Sequence, residues 1–200
     1  MKIHIIGGPG SGKSTLAEEL SQRYGIPHHD LDELQWDAAA ESYGKKREAA
    51  ERDDLLNQIL KQDDWIVEGV YYAWCAQCFA DADAIFLLNV PRAVYRCRII
   101  RRFFRRKLGM EKGKKETLKD LRALLRWADK YRKENMIEIR DVLAPYADKL
   151  VEINGPSVVG KKIFQKENSN ENHRHDRRGR NGGGAFEVRA RRGRGKARRL

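Results

Sequence analysis

Cysteine is scarce in this 200-residue chain. Cys75, Cys78 and Cys97 are an odd, sparse set that excludes the disulfide framework of a small secreted domain, and reduced thiols are expected. Cys75 and Cys78 form one C-x-x-C, but no second C-x-x-C or His pair of matching spacing completes the four ligands of a structural zinc. Long apolar runs are also missing. Nowhere do about 18 apolar residues follow one another, which excludes a membrane-spanning helix. The opening MKIHIIGGPG passes from a short apolar run straight into glycines, without the longer apolar stretch and cleavage site of a secretion signal. A cytoplasmic location is the expectation.

Acidic residues are in deficit, 29 against 41 basic, for a formal net charge of +12. The excess is local: residues 165–200 hold 12 basic and 4 acidic residues and carry +8 of it. This segment has many Asn, Gly and Arg, almost no large apolar residue and no period, so a disordered Arg/Gly-rich tail is expected. Such a tail fits either a dispensable extension or an arm for nucleic acid, whose phosphate contacts would be salt-dependent. Residues 1–164 are the predicted folded domain, long enough to close one core.

Within that domain, strand-like and helix-like segments alternate. Lys2–Ile6 is a short apolar run, and Lys13–Tyr24 an amphipathic stretch with Leu16 and Leu20 inward. A short strand is expected at about Ile26–Asp30, and a helix from about Arg47 to Gln62 with Leu55, Leu56, Ile59 and Leu60. WIVEG (Trp65–Gly69) and AIFLLNV (Ala84–Val90) are continuous apolar runs, the pattern of parallel strands covered on both faces. A basic helix follows from Pro91 to about Leu108, then a loop over Gly109–Lys115. Thr117–Tyr146 reads as one or two helices with Leu118, Leu121 and Leu125 inward, and Leu150–Ile153 as a fifth strand. The fold class this predicts is α/β, a five-stranded parallel sheet flanked by helices.

Chemistry concentrates in one motif. Gly7, Gly8, Pro9, Gly10, Ser11, Gly12, Lys13 and Ser14 satisfy G-x-x-x-x-G-K-[ST], and the match sits between the first strand and the first helix, where a phosphate-binding loop belongs. Glycines let backbone N–H groups turn around a phosphate, and the positive end of the helix adds to the attraction. Lys13 is expected to bridge the β- and γ-phosphates of ATP, and the Ser14 hydroxyl to meet a phosphate-bound Mg²⁺, with Thr15 a weaker candidate. The motif fixes a phosphate site without fixing a reaction.

Beyond the motif, GGPGSGKSTLAEELSQRYGIPHHDLDELQW resembles the start of a small P-loop kinase of the adenylate-kinase-like superfamily, a likeness extending over about residues 1–164. Together with WIVEGVYY, FLLNVPRAVYRCRIIRR and APYADKLVEING, it is similar to a bacterial family labelled DNA topology modulation protein, or FlaR-type. The resemblance implies a P-loop NTPase fold with a short arginine-rich helical lid at about 98–116. It further implies transfer of the γ-phosphoryl group of Mg-ATP to a nucleotide or related small acceptor. Pro91, followed by Arg98-Ile99-Ile100-Arg101-Arg102, keeps the spacing of adenylate kinases after their fourth strand. By that likeness Arg98 lies against adenine, Arg102 reaches the ATP phosphates, and Arg105 or Arg106 stabilises the transferred group, work suited to the planar guanidinium fork. The plainer reading is a solvated basic helix face.

Glu68, before Gly69, occupies the place where related kinases carry the Asp of a D-G pair, and is expected to hold Mg²⁺ through water. Being one methylene longer, it also suits a structural role in the turn. Asp30 and Asp32, read as alternate residues ending the second strand, would face an acceptor pocket together; alternatively they cap the next helix. In hydroxyl-phosphorylating relatives an acidic residue here orients the acceptor, which makes Asp32 a discriminator. His28 and His29 read as strand-end packing, since phosphoryl transfer on a P-loop needs no histidine base. Asn154-Gly155-Pro156 resembles the turn that meets the adenine edge. Two further readings stay open: an ATP-switched nucleic-acid binder, and a kinase of a nucleoside, sugar or small hydroxy acid.

Overall fold

A computed structural model of the chain describes residues 1–37, 45–110 and 117–155, all within the compact unit Met1–Ile163. The expected tail at 165–200, Pro156, and residues 111–116 of the expected lid lie outside the described residues.

The chain runs β1 (Lys2–Gly7), α1 (Lys13–Tyr24), β2 (His28–Asp30), α2 (Leu31–Gln35), α3 (Ala49–Leu60), β3 (Trp65–Gly69), α4 (Ala76–Asp81), β4 (Ala84–Leu88), α5 (Arg92–Lys107), α6 (Leu118–Lys130), a π-helical turn (Tyr131–Asn135), α7 (Met136–Leu143), a 3₁₀ turn (Ala144–Tyr146) and β5 (Leu150–Ile153). Five parallel strands form one sheet in the order β2-β3-β1-β4-β5. The three inner strands are buried almost throughout, which is why they read as unbroken apolar runs rather than alternating ones.

Two apolar clusters cover the sheet. Ile3, Ile5, Ile66, Phe86 and Leu88 pack with Leu16, Ala17 and Leu20 of α1. Ile6, Trp65, Val67, Ile85 and Leu87 pack with residues of α2, α3, α4 and α7. Alternate strand residues thus serve opposite faces, as the pleat requires. A third cluster joins Tyr95, Ile99 and Phe103 of α5 to Leu121 and Ala128 of α6. Those two helices are also tied through Asp129, which accepts from Arg92, Tyr95 and Arg96. The Arg92 guanidinium and the Tyr95 hydroxyl hold the Asp129 carboxyl down at about 2.

Several expectations need adjusting. β2 starts two residues later than expected, because Ile26 turns into the core and Pro27 contributes only its carbonyl to Ile66 N–H. Asp32 is not on β2. The strand ends at Asp30, whose side chain accepts from Asp32 N–H at 2.9 Å and caps α2, so Asp32 lies in the first helical turn. Leu118, expected inward, is the first residue of α6 and 56% exposed, since the capping box at Thr117 and Asp120 turns the helix start outward. The stretch Thr117–Tyr146 is two helices joined through the π-helical turn.

Candidate functional site

Gly7 ends β1 and α1 begins at Lys13, so the loop between them stands at the C-terminal edge of the sheet beside β3 and β4. Gly10 and Gly12 have φ of 73° and 101°, which L side chains rarely adopt. A Cβ at Gly10 would also come within 2.8 Å of Tyr95 O, and one at Gly8 within 2.9 Å of the buried Tyr131 ring. The glycines are therefore needed for shape, and the loop is packed on α5 and on the π-helical turn. Ser11 N–H closes the loop on Gly8 O at 3.2 Å, while Ser11 Oγ is buried with no hydrogen-bond partner.

At the head of α1 the expected residues meet. Ser14 Oγ donates to Glu68 Oε1 at 2.5 Å, and Lys13 Nζ stands 3.7 Å from Glu68 Oε2. Glu68 is 1% exposed. A carboxylate so buried is tolerable only when paired, and here an ammonium and a hydroxyl flank its two oxygens. The glutamate's extra methylene is thus taken up in reaching across from β3 to α1.

One strand further out, Asp30 is the register partner of Glu68. Burial, and then the neighbouring Glu68 charge, push its carboxyl up to about 6. Asp32 points elsewhere: exposed on α2, it accepts from Tyr71 Oη at 2.7 Å. Burial and that bond to Asp32 raise the Tyr71 hydroxyl far above its ordinary value, so it stays a donor. Tyr71 belongs to the β3–α4 loop, which also carries Trp74, stacked beneath the Arg52 guanidinium at 4.4 Å. Residues 35–37 and 45–47 pair through a Trp36–Lys46 bridge and bonds from Asp37 N–H and Arg47 N–H. Residues 38–44 between them lie outside the described residues.

Arg98 is joined to the loop: Nη1 donates to Ser11 O at 2.6 Å and to Gly10 O at 3.4 Å. Arg102, Arg105 and Arg106 follow on α5 at helical spacing, one and two turns beyond. Thr15 is exposed on α1. On the other flank, Asn154 Oδ1 accepts from Asn89 Nδ2 at 2.9 Å, and Gly155 has φ of 144°.

Two residues at the site carry no signal in the sequence pattern. Tyr131 presses on Gly8 and donates to Val70 O at 2.9 Å; it is placed there by the wide π turn, which periodicity does not show. Tyr71 follows strand β3 in a run of aromatics, and only the three-dimensional return of the chain brings it to Asp32.

A sequence profile of the family described as AAA domain matches residues 3–119, more than half of the chain. The chain belongs to that family. The matched span runs from β1 into α6 and so contains the loop, Glu68 and the α5 arginines. YqaC of Bacillus subtilis strain 168, an uncharacterized protein, is 31% identical over 139 residues, 69% of this chain and 76% of its own length. Human adenylate kinase isoenzyme 5 is 39% identical over 69 residues, 34% of this chain but 11% of that protein. Among solved structures, shikimate kinase from Aquifex aeolicus is 19% identical, with a TM-score of 0.49, over 88% of this chain and 99% of that one. The five-stranded parallel sheet flanked by helices, with the glycine loop between β1 and α1, is a P-loop NTPase fold.

Proposed function

We propose that the protein is a Mg-ATP-dependent kinase that moves the γ-phosphoryl group to a nucleotide or related small acceptor, as adenylate kinases do. The observation that carries this reading is the meeting of Lys13, Ser14 and Glu68 at the head of α1. Residues 1–164 are the unit to which we assign the activity.

The loop suits a polyphosphate. Its glycines leave no room for side chains, and Ser11 Oγ is a buried polar atom without a partner. Gly7 through Thr15 would hold the phosphates, with Lys13 Nζ neutralising the charge that grows on the transferred group. Mg²⁺ would be held by Ser14 Oγ and, through water, by Glu68; when bound, such an ion screens phosphate charge and fixes phosphate geometry. Glu68 holds Lys13 and Ser14 in place from a buried position before any nucleotide arrives. Arg98 grips the loop carbonyls and offers its planar face to adenine beside Asn154 and Gly155. Arg102, Arg105 and Arg106 are assigned to the lid, at about 98–116, closing over the phosphates and excluding water.

A second reading, a kinase of a hydroxyl acceptor such as a nucleoside, sugar or small hydroxy acid, has one observation in its favour. Asp32 is an exposed carboxylate past the C-terminal end of β2, oriented by Tyr71. The nucleic-acid reading rests on a tail that lies outside the described residues. Among the described residues no helix is long and apolar enough to cross a membrane.

The test is ADP release from Mg-ATP against a panel of nucleoside monophosphates, nucleosides and small hydroxyl compounds. Stimulation by a monophosphate that survives Asp32→Asn supports the nucleotide kinase. Stimulation by a hydroxyl compound that is lost in Asp32→Asn supports the second reading, and a panel without stimulation contradicts both.

A further inference from the structure

Cys75-Ala-Gln-Cys78 has no part in the site described above. Cys75 is the N-cap residue of α4, and its carbonyl accepts from Phe79 N–H at 3.1 Å, so a helical turn already encloses Cys78. Side chains three residues apart on such a turn lie roughly 5–6 Å apart at Cβ, and a disulfide needs roughly 3.5–4.5 Å, so closure requires the first turn of α4 to tighten. The two thiols are free and fully buried.

A second, independent feature stands beside them. His4, on β1, is 0% exposed, and neither of its ring nitrogens has a hydrogen-bond partner. Its ring meets Phe79 edge-on at 4.7 Å, and its polar neighbour is Cys78. A buried imidazole without a hydrogen bond is costly in a sheet core. The neighbouring Cys75 pulls the Cys78 thiol down, burial opposes this, and His4 adds to the pull; Cys75 is correspondingly pushed up. Two thiols one helical turn apart can supply an attacking and a resolving sulfur. Two thiols and one imidazole fall one ligand short of a structural zinc set.

We propose that Cys75 and Cys78 are a thiol–disulfide redox pair, closed by a low-molecular-weight disulfide of the glutathione class, with His4 as the group that supports the attacking thiolate. The Cys78 thiolate attacks one sulfur of the oxidant, forming a mixed disulfide and expelling one thiolate. Cys75 then gives up its proton to that thiolate and attacks the Cys78 sulfur, expelling the second. Two protein thiols are oxidised while one external disulfide is reduced to two thiol equivalents. Because both sulfurs are buried, reaction waits on local opening of the Val70–Trp74 segment. That segment packs on the same core cluster and carries Tyr71 and Trp74. The new bond fixes its far end, and with it the partner of Asp32.

The experiment uses the full chain carrying Cys97→Ser, which removes the exposed third thiol. Protein is held in oxidised glutathione, quenched in acid, unfolded and labelled with a maleimide. The expected result is two labels before oxidation, none after, a chain lighter by two hydrogens, and both labels regained with dithiothreitol. His4→Phe is expected to slow closure about tenfold; an unchanged rate removes His4 from the pair. Two labels persisting under conditions that fully glutathionylate Cys97 of the unmodified chain would overturn the proposal. So would a stable single glutathione adduct without ring closure.

Discussion

Glu68 is a single carboxylate doing two jobs from a buried position, facing the Lys13 ammonium with one oxygen and the Ser14 hydroxyl with the other. Removing one side of a paired buried charge costs more than the pair itself contributes, so the conservative change is the informative one. Glu68→Gln keeps the shape and the Ser14 acceptor but loses the charge. It is expected to raise the Mg²⁺ concentration for half-maximal ATP turnover by about 10- to 100-fold, the usual cost of losing a group behind a metal ligand; a Mg²⁺ titration of activity checks this. Asp30, its register neighbour, gives a pH prediction. Its folded value of about 6 lies above the roughly 3.9 of an unfolded Asp. Between those pH values the folded state keeps a proton that the unfolded state has lost, so stability falls as pH rises through this window. Asp30→Asn retains an acceptor for the α2 cap and removes the charge. The variant is expected to match the parent near pH 4 and exceed it by about 1 kcal/mol at pH 7, after screening of a part-exposed group; urea unfolding across pH measures it.

At the scale of elements, the phosphate loop owes its shape to helices far along the chain. Gly8 lies against Tyr131 of the π-helical turn and Gly10 against Tyr95 and Ile99 of α5. Gly8→Ala forces a Cβ toward the buried Tyr131 ring, which cannot swing away without losing its bond to Val70 O. A loss of about 1–3 kcal/mol is expected, with weaker ATP binding, and thermal unfolding with and without Mg-ATP reads both. These contacts mark where sequence reading runs out. β1, α1, β3 and β5 were legible because unbroken apolar runs and a 3.6-residue period leave little choice, and the glycine-lysine-serine loop because its spacing is rigid. α2 and α4 were not, since six residues or fewer show no period; α2 is set by the Asp30 cap, and α4 has no capping side chain to announce it. Asp32 was misplaced for the same reason, the capping bond of Asp30 having ended the strand before alternation could carry to it. Tyr71 and Tyr131 act through returns of the chain that no local pattern encodes.

Across the whole molecule, charge and chemistry occupy different parts of the sequence: the phosphate loop lies near the start and two-thirds of the net charge lies after residue 164. On this account the two are separable. Removing residues 165–200 is expected to leave Mg-ATP turnover within about twofold of the full chain, and to abolish any salt-sensitive binding of nucleic acid. A truncated chain that still bound DNA tightly would favour the nucleic-acid reading. The central claim is that Lys13, Ser14 and Glu68 form the donor site, and calorimetric titration of Mg-ATP into the wild type and Lys13→Ala, with circular dichroism to show both folded, tests it most directly. The account predicts binding by the wild type that weakens when Mg²⁺ is removed, and at least about 100-fold weaker binding by Lys13→Ala, the scale of losing one preorganised charge contact. Equal affinity in the two folded proteins would contradict it.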